Sequence, residues 1–586
     1  MHNFGKFKLN LSRILGGLAV GLLLAGIACG AAATATPPPT RAPQVTAAPV
    51  STTAPAATVA AAPAAPAAPK ATPVPAPPAA KAPTVHPGKV TFMVGGWEAG
   101  RMFPLHIVSH VHGMILHGFL VSSNEKRELI PGIATQWKVS EDGKTWTVTI
   151  RDGVKFHDGR TLTAEDVYFT WLQGYGPGAA EKSTSSSNQA QAKNTLKIEQ
   201  TDPKRVSITT KIVDSGFPYY ISDITGSVQG VVLPRWELEK IHDDEKLLAY
   251  DRNPIAAGIM KLVRHVPFEV MQFERFDDYY DPDTRVRFRS MDLRLVPEEA
   301  TRIAALRAKE VDIAPVSLGA RKQVEAGGSR LVFSLEGSYL QGELWCWKAE
   351  FACSKTKVRQ ALAYALDMNL FRDKLWGPEV FVPKGWAWVT PATIGYSPEL
   401  DPVFDPQKAR QLLAEAGYPG GKGFPTLVVN VWSSRAVPYL PESAQLAADM
   451  WKKELGIPVE VKLGEEAALK KDRLGGLHGQ VLWRDNETRT DGSSSARTSF
   501  GTPGHAAAQT DDPAIFKLVE ETLAVVDPTK RHDAFNKLYR VLREEQYRLG
   551  PGYINLPWGV GPRIVEWTPF PMAFWPSGLH TIVLKP

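Results

Sequence analysis

The sequence predicts a mixed α/β protein of more than one lobe, and three observations carry that reading. Segments of strand period and helix period follow one another: residues 128–172 read strand, turn, strand, turn, helix, and residues 358–370 read as an amphipathic helix. The chain has 586 residues, and the 498 from Lys89 onward exceed what one hydrophobic core fills, so two or three lobes are expected. The residues before Lys89 differ in composition and cannot build a core.

In chain order, Lys6, Lys8 and Arg13 precede an apolar run from Ile14 to Ala28. That run has the charge and length of a secretory signal and falls short of the roughly 20 residues a membrane-spanning helix needs. Gly26-Ile27-Ala28-Cys29 resembles a bacterial lipobox, in which Cys29 becomes the lipidated first residue; Gly26 stands where leucine is usual, and an ordinary soluble signal peptide is the alternative. Residues 30–88 are almost entirely Ala, Pro, Thr and Val with no acidic residue, so they bury too little apolar surface to offset chain entropy. They read as a tether that, at ~3.1 Å per residue, reaches about 180 Å. Residues 1–29 are therefore expected to be a signal peptide, and the folded part to stand outside the cytoplasmic membrane on a lipid anchor.

The formal charge of +6 does not point to nucleic acid. Lys6, Lys8, Arg13, Arg41, Lys70 and Lys81 all precede Lys89, and removing them from the 67 basic residues leaves 61 against 61 acidic ones. The folded part is neutral and has no long basic run. Of three cysteines, Cys346 and Cys353 flank a short loop between a predicted strand (residues 339–347) and a helix starting near Lys355. A disulfide fits an exported protein, and two free buried thiols are the alternative. No His or Cys ligands stand at zinc-site spacing, and no cofactor is expected.

Trp137 and Val139 alternate with polar residues before Asp142-Gly143, and Trp146, Val148 and Ile150 alternate after it, a hairpin pattern with one buried face. Thr163 and Asp166 form a capping-box start for a helix carrying Val167, Phe169 and Trp171. Pro297, Glu298 and Glu299 open a helix that ends near Arg307 and Lys309, with charge matched to the helix dipole. Val358, Ala361, Leu362, Ala365, Leu366 and Leu370 form a stripe with helical spacing that reads as core.

The stretch LIPGIATQWKVSEDGKTWTVTIRDGVKFHDGRTLTAEDVYFTW resembles the signature of the family 5 extracellular solute-binding proteins, which deliver oligopeptides, dipeptides, nickel chelates or sugars to ABC importers. Further blocks resemble the family in order: FERFDDYYDP (273–282), residues 297–314, VRQALAYALDMN (358–369), residues 404–419, and the helix ending at Leu455-Gly456-Ile457-Pro458. The family usually has glycine where this chain has Lys309. The resemblance implies a type II periplasmic-binding-protein-like fold of two α/β lobes hinged by two crossing strands. Lobe 1 is expected at 89–337 with an inserted subdomain at about 120–235, lobe 2 at 338–555, and a return to lobe 1 at 556–586. The crossings are expected near 338–347 and 552–558. The implied working unit is a monomer that hands its solute to a membrane permease.

Ligand contacts are expected first at Trp386 and Trp388, in a Gly- and Pro-punctuated loop whose family equivalent lies near the cleft, and at Trp97. Each of these also reads as packing, since tryptophan is highly buried on average. Peptide-binding members place an aspartate shortly after a tryptophan to pair with the ligand's amino terminus, and Trp483 with Asp485 is the nearest match here. One residue separates them where the family has two, so Asp491 is a second candidate, and an oligosaccharide or other small solute stays open beside a peptide. His106, His110, His112 and His117 admit a nickel chelate. Residues 417–423 fail the phosphate-loop pattern, and there is no nucleophile elbow or His-Glu-x-x-His helix, which leaves a secreted hydrolase as a distant alternative to a non-enzymatic binder.

Overall fold

The computed structural model describes residues 86–586 apart from 98–109, 183–185, 226–229, 242–243, 347, 435–436, 476, 478, 502–507 and 574. The expected signal peptide, Cys29 and nearly all of the expected tether lie outside the described residues. The first strand, β1 (His86–Val94), begins three residues inside the segment assigned to the tether.

The hairpin read from the sequence is present as β2 (Ala134–Val139) and β3 (Thr145–Ile150), antiparallel with Trp137 opposite Val148 and Val139 opposite Trp146. Its loop is longer than the Asp-Gly pair alone, because Ser140 N–H already bonds Thr145 O (2.9 Å) before Gly143 turns the chain at φ 73°. The helix that follows is α1 (Ala164–Tyr175), and the Asp166 carboxylate accepts from Thr163 N–H (2.8 Å), the return bond of a capping box, and also from Thr163 Oγ1 (3.0 Å). With β4 (Thr195–Asp202) and β5 (Arg205–Thr210) these strands form a sheet of order β2-β3-β5-β4. Trp146, Val148, Trp171 and Phe217 make its core.

Among the described residues the large sheet holds eleven strands and runs through both lobes. Lobe 1 supplies β1, the hairpin β6 (Met260–Val266) and β7 (Val270–Arg275), β8 (Phe288–Leu295) and β9 (Ile313–Pro315). Between the last two lies α2 (Glu299–Arg307). It ends in a Schellman motif, with Glu310 N–H bonding Ala305 O (2.9 Å) and Lys309 N–H bonding Leu306 O (3.1 Å). Lys309 takes the left-handed conformation (φ 60°) that glycine would hold without strain.

The chain then enters β10 (Arg330–Leu344), and the stripe beginning at Val358 is buried by α3 (Thr356–Tyr364). The helix stops before the stripe does, because Asp367 caps a new turn through Asn369 N–H (2.9 Å). Lobe 2 follows with β11 (Leu427–Val431), α4 (Leu440–Leu455, ended by Gly456 at φ 68°), β12 (Val459–Leu463), α5 (Glu466–Gly475) and β13 (Val481–Asn486). The last long strand is β14 (Arg548–Val560). Strand order along the main path is β12-β11-β13-β10-β14-β9-β1-β8-β7-β6.

Thus β10 and β14, antiparallel and adjacent, join the two ends of the sheet, and both are longer than the crossings expected from the sequence. Their register breaks between Ser334 and Ser338, where three residues of β10 face Asn555 alone. Asn555 closes that bulge by accepting from Glu336 N–H (2.8 Å) while its own amide donates to Glu379 O (2.9 Å). One apolar core lies against the β1 end of the sheet, with Phe92, Phe273, Met291 and Trp558. Another lies against the β11 end, with Leu362, Val429, Trp451 and Trp483. Cys346 and Cys353 are disulfide-bonded with Cα atoms 5.2 Å apart, closing the loop before α3.

Candidate functional site

A cavity of about 560 Å³ lies between the lobes, and its wall follows from strand direction. β1, β8 and β9 point toward it from lobe 1, and β11, β12 and β13 from lobe 2. The lining residues follow their carboxyl ends: Val94–Trp97 after β1, Glu299 and Arg302 after β8, Pro315–Ser317 at β9, Trp432 and Ser434 after β11, Glu465–Ala467 after β12, and Arg484–Glu487 at the end of β13. Open α/β sheets bind ligands at this edge, because loops there can vary while the strands stay rigid. Ser338 of β10 and Leu556–Trp558 of β14 form the floor.

The wall is acidic. Glu299, Glu465, Glu466, Asp485 and Glu487 line it against three cations, Arg302, Lys470 and Arg484. Each cation is engaged by protein. Arg302 donates to the carbonyls of Val296 (2.7 Å), Pro297 (2.7 Å) and Pro315 (3.0 Å), which fixes the lobe 1 rim. Lys470 pairs with Glu466 at 2.8 Å. Arg484 lies over the Trp432 ring (5.4 Å) and donates through Nε to the Asp485 carbonyl (3.0 Å) rather than to its carboxylate. The Asp485 carboxylate accepts from Ser434 Oγ (2.9 Å). Burial raises its pKa from the ordinary value, with Glu466 adding to the rise and Arg484 and Ser434 opposing it. A carboxylate in that state gains from an incoming cation.

Of the residues singled out by sequence, Trp97 and Asp485 line the cavity and four do not. Trp386 and Trp388 are buried with Phe500, Phe535 and Tyr539. Trp386 Nε1 donates to Arg548 O (3.0 Å), and the Arg548 guanidinium lies 4.8 Å over the Trp388 ring. Neither side chain is among those lining the cavity. Trp483 sits midway along β13, too far back from its carboxyl end; it stacks on Phe371 (centroids 6.0 Å apart) and donates to Ser443 Oγ (2.9 Å). Asp491 is buried against Arg531. Among the histidines, His117 is buried and does not line the cavity. His106 and the side chains of His110 and His112 lie outside the described residues.

Sequence reasoning missed Ser434, Glu465, Glu466, Trp558 and Phe268. The only available signal was for Trp558, at the edge of the expected second crossing; the others need the strand topology.

The comparisons agree with this architecture. The profile of bacterial extracellular solute-binding proteins, family 5 Middle, matches residues 128–506. The dipeptide-binding protein of Escherichia coli (strain K12) is 25% identical over 446 residues, covering 72% of this chain and 78% of its own. The nickel-binding periplasmic protein of the same organism is 26% identical over 465 residues, covering 75% and 83%. Among solved structures, the periplasmic binding protein DppA from Helicobacter pylori in complex with peptide STSA superposes with a TM-score of 0.70 at 18% identity, covering 86% of this chain and 99% of its own, a likeness of fold. With well over half of its 586 residues inside that profile, the chain belongs to the bacterial extracellular solute-binding proteins of family 5.

Proposed function

We propose that this protein captures a short peptide by its amino terminus in the interlobe cleft and delivers it, chemically unaltered, to the permease of an ABC importer. The acidic wall with Asp485 at its centre carries this reading. A partly buried carboxylate that accepts from the Ser434 hydroxyl of the neighbouring loop gains most from an ammonium that brings its own charge and hydrogen-bond donors. The work is a binding equilibrium: cargo stabilises the closed arrangement by its differential affinity for closed over open. The peptide-binding relative supports this choice of cargo. In this reading Cys29 carries the lipid anchor, the segment before β1 is the spacer, and the protein acts as a monomer outside the cytoplasmic membrane.

Mass spectrometry of material released on denaturing the purified protein tests the cargo. Short peptides with free amino termini are expected; an oligosaccharide or a metal chelate would replace the peptide reading. For a peptide so identified, Asp485→Ala should weaken binding by about 1–3 kcal/mol, the range for losing a charged hydrogen bond. Calorimetry showing unchanged affinity would take Asp485 out of the site.

A further inference from the structure

One residue of the cavity wall holds a backbone conformation that its side chain opposes. The hairpin β6–β7 turns through Val266–Glu269, closed by Glu269 N–H donating to Val266 O (3.1 Å). Pro267 occupies the second position of this turn, and Phe268 the third at φ 60°. Proline followed by positive φ marks a type II turn, whose third position favours glycine; a bulky residue there is an outlier. The protein's own packing does not compensate. Phe268 is 63% exposed, yet it borders the cavity, as do Glu465, Glu466 and Lys470 from lobe 2. Strain of this kind concentrates at ligand clamps and is retained where function uses it.

We propose that Phe268 is a cargo-contacting residue that covers an apolar or aromatic group of the bound solute at the cleft mouth. The cargo is then a cation carrying an apolar side chain close to its charge, as in a peptide with a hydrophobic residue next to its amino terminus. This rests on the cleft being the cargo site, and it adds a contact that the acidic wall does not supply. The strain gives it a distinctive signature, because removing the ring should help the fold and harm the binding.

The test compares wild type with Phe268→Gly and Phe268→Asn, both tolerant of positive φ, using the tripeptides Ala-Phe-Ala and Ala-Gly-Ala as calorimetric probes. Phe268→Gly should melt about 1–2 °C higher. Both variants should bind Ala-Phe-Ala about tenfold more weakly, a loss of the order of one buried apolar contact, with little change for Ala-Gly-Ala. Unchanged affinity for Ala-Phe-Ala overturns the proposal. So does an equal loss for both peptides with a lower melting temperature, which would make the ring structural, and so does lost transport with intact binding, which would assign it to the permease. If wild type binds neither tripeptide, the peptide reading fails and Phe268 is decided separately. p-Benzoylphenylalanine is placed at position 268 in cells, the protein is irradiated, and position 268 is examined for a small-molecule adduct by mass spectrometry. An adduct supports the contact, and adduct-free protein overturns it.

Discussion

Replacing Arg497 by methionine should remove one member of a buried ion pair and strand the other. Arg497 Nη2 lies 2.8 Å from Asp214 Oδ2, and both side chains are almost fully withdrawn from solvent. Burial pulls the arginine pKa down, but Asp214 and Tyr220 outweigh it, so the net shift is upward and the guanidinium is held charged. At that separation the attraction is about 6 kcal/mol for an effective dielectric of ~20, much of it offset by desolvating two ions. In the variant, Asp214 stays buried with Gln191 Nε2 (3.3 Å) and Gly216 N–H (3.0 Å) still donating to it. The expected loss is therefore about 3–5 kcal/mol, the cost of an uncompensated buried charge, and not the net worth of the pair. Urea unfolding of the disulfide-intact protein measures it, and the double variant Asp214→Asn with Arg497→Met should recover about half or more. A single-variant loss below about 1 kcal/mol, or a double variant as unstable as the two singles added, would refute the reasoning. The pair ties the segment after β5 to the segment after Asp491, alongside the Arg531 Nη1 bond to Ser215 O (2.8 Å). Hydrogen exchange in the four-stranded sheet should accordingly quicken more in the single variant than in the double.

Two further outcomes follow from backbone and proton chemistry. Lys309→Gly should stabilise the protein by about 1 kcal/mol, because the Schellman hydrogen bonds persist while the left-handed strain is relieved; denaturant midpoints check this. His157 is held to a pKa of about 4 by burial, against the opposing hydrogen bond to Gly258 O (3.1 Å), compared with an ordinary 6.5. The unfolded chain then takes up the proton first as pH falls, so this contribution is complete above about pH 6.5 and is lost between there and pH 4, amounting to up to about 3 kcal/mol. His157→Gln should flatten stability across that window.

The elements that could be read from the sequence were those whose signal is local. Trp137, Val139, Trp146 and Val148 announce a paired hairpin by period two, and Asp166 announces a helix start three residues after Thr163. The helix end at Lys309 shows why local reading stops short: the Schellman bonds hold the cap in place with lysine where glycine is usual. The cavity was legible only in part, because its wall is assembled from strand ends spread from Val94 to Pro576, and no window of the chain contains two of the facing walls. Trp386 and Trp388 illustrate the ambiguity of aromatics, which suit a cleft and a core equally until the neighbours Arg548, Phe500 and Tyr539 are known. Asp491 was drawn toward the ligand by its proximity to Trp483, yet Arg531, forty residues later, claims its charge. Phe268 carries no sequence mark beyond a preceding proline.

The interruption in β10 has a mechanical consequence. Leu335, Glu336 and Gly337 lie outside the ladder with β14, and Leu335 is turned to solvent while Glu336 sits at φ 51°. Rotation there breaks no backbone ladder bond between β10 and β14 and loads instead the bonds that hold the bulge, from Glu336 N–H to Asn555 Oδ1 (2.8 Å), from Met572 N–H to Leu335 O (2.7 Å) and from Thr488 Oγ1 to Glu336 O. Compliance is thus concentrated in three consecutive residues, and the rest of the sheet behaves as two stiff leaves riveted through β14. In a body built so, the energy of bending is set by the few bonds to these three residues and not by the area of sheet that moves.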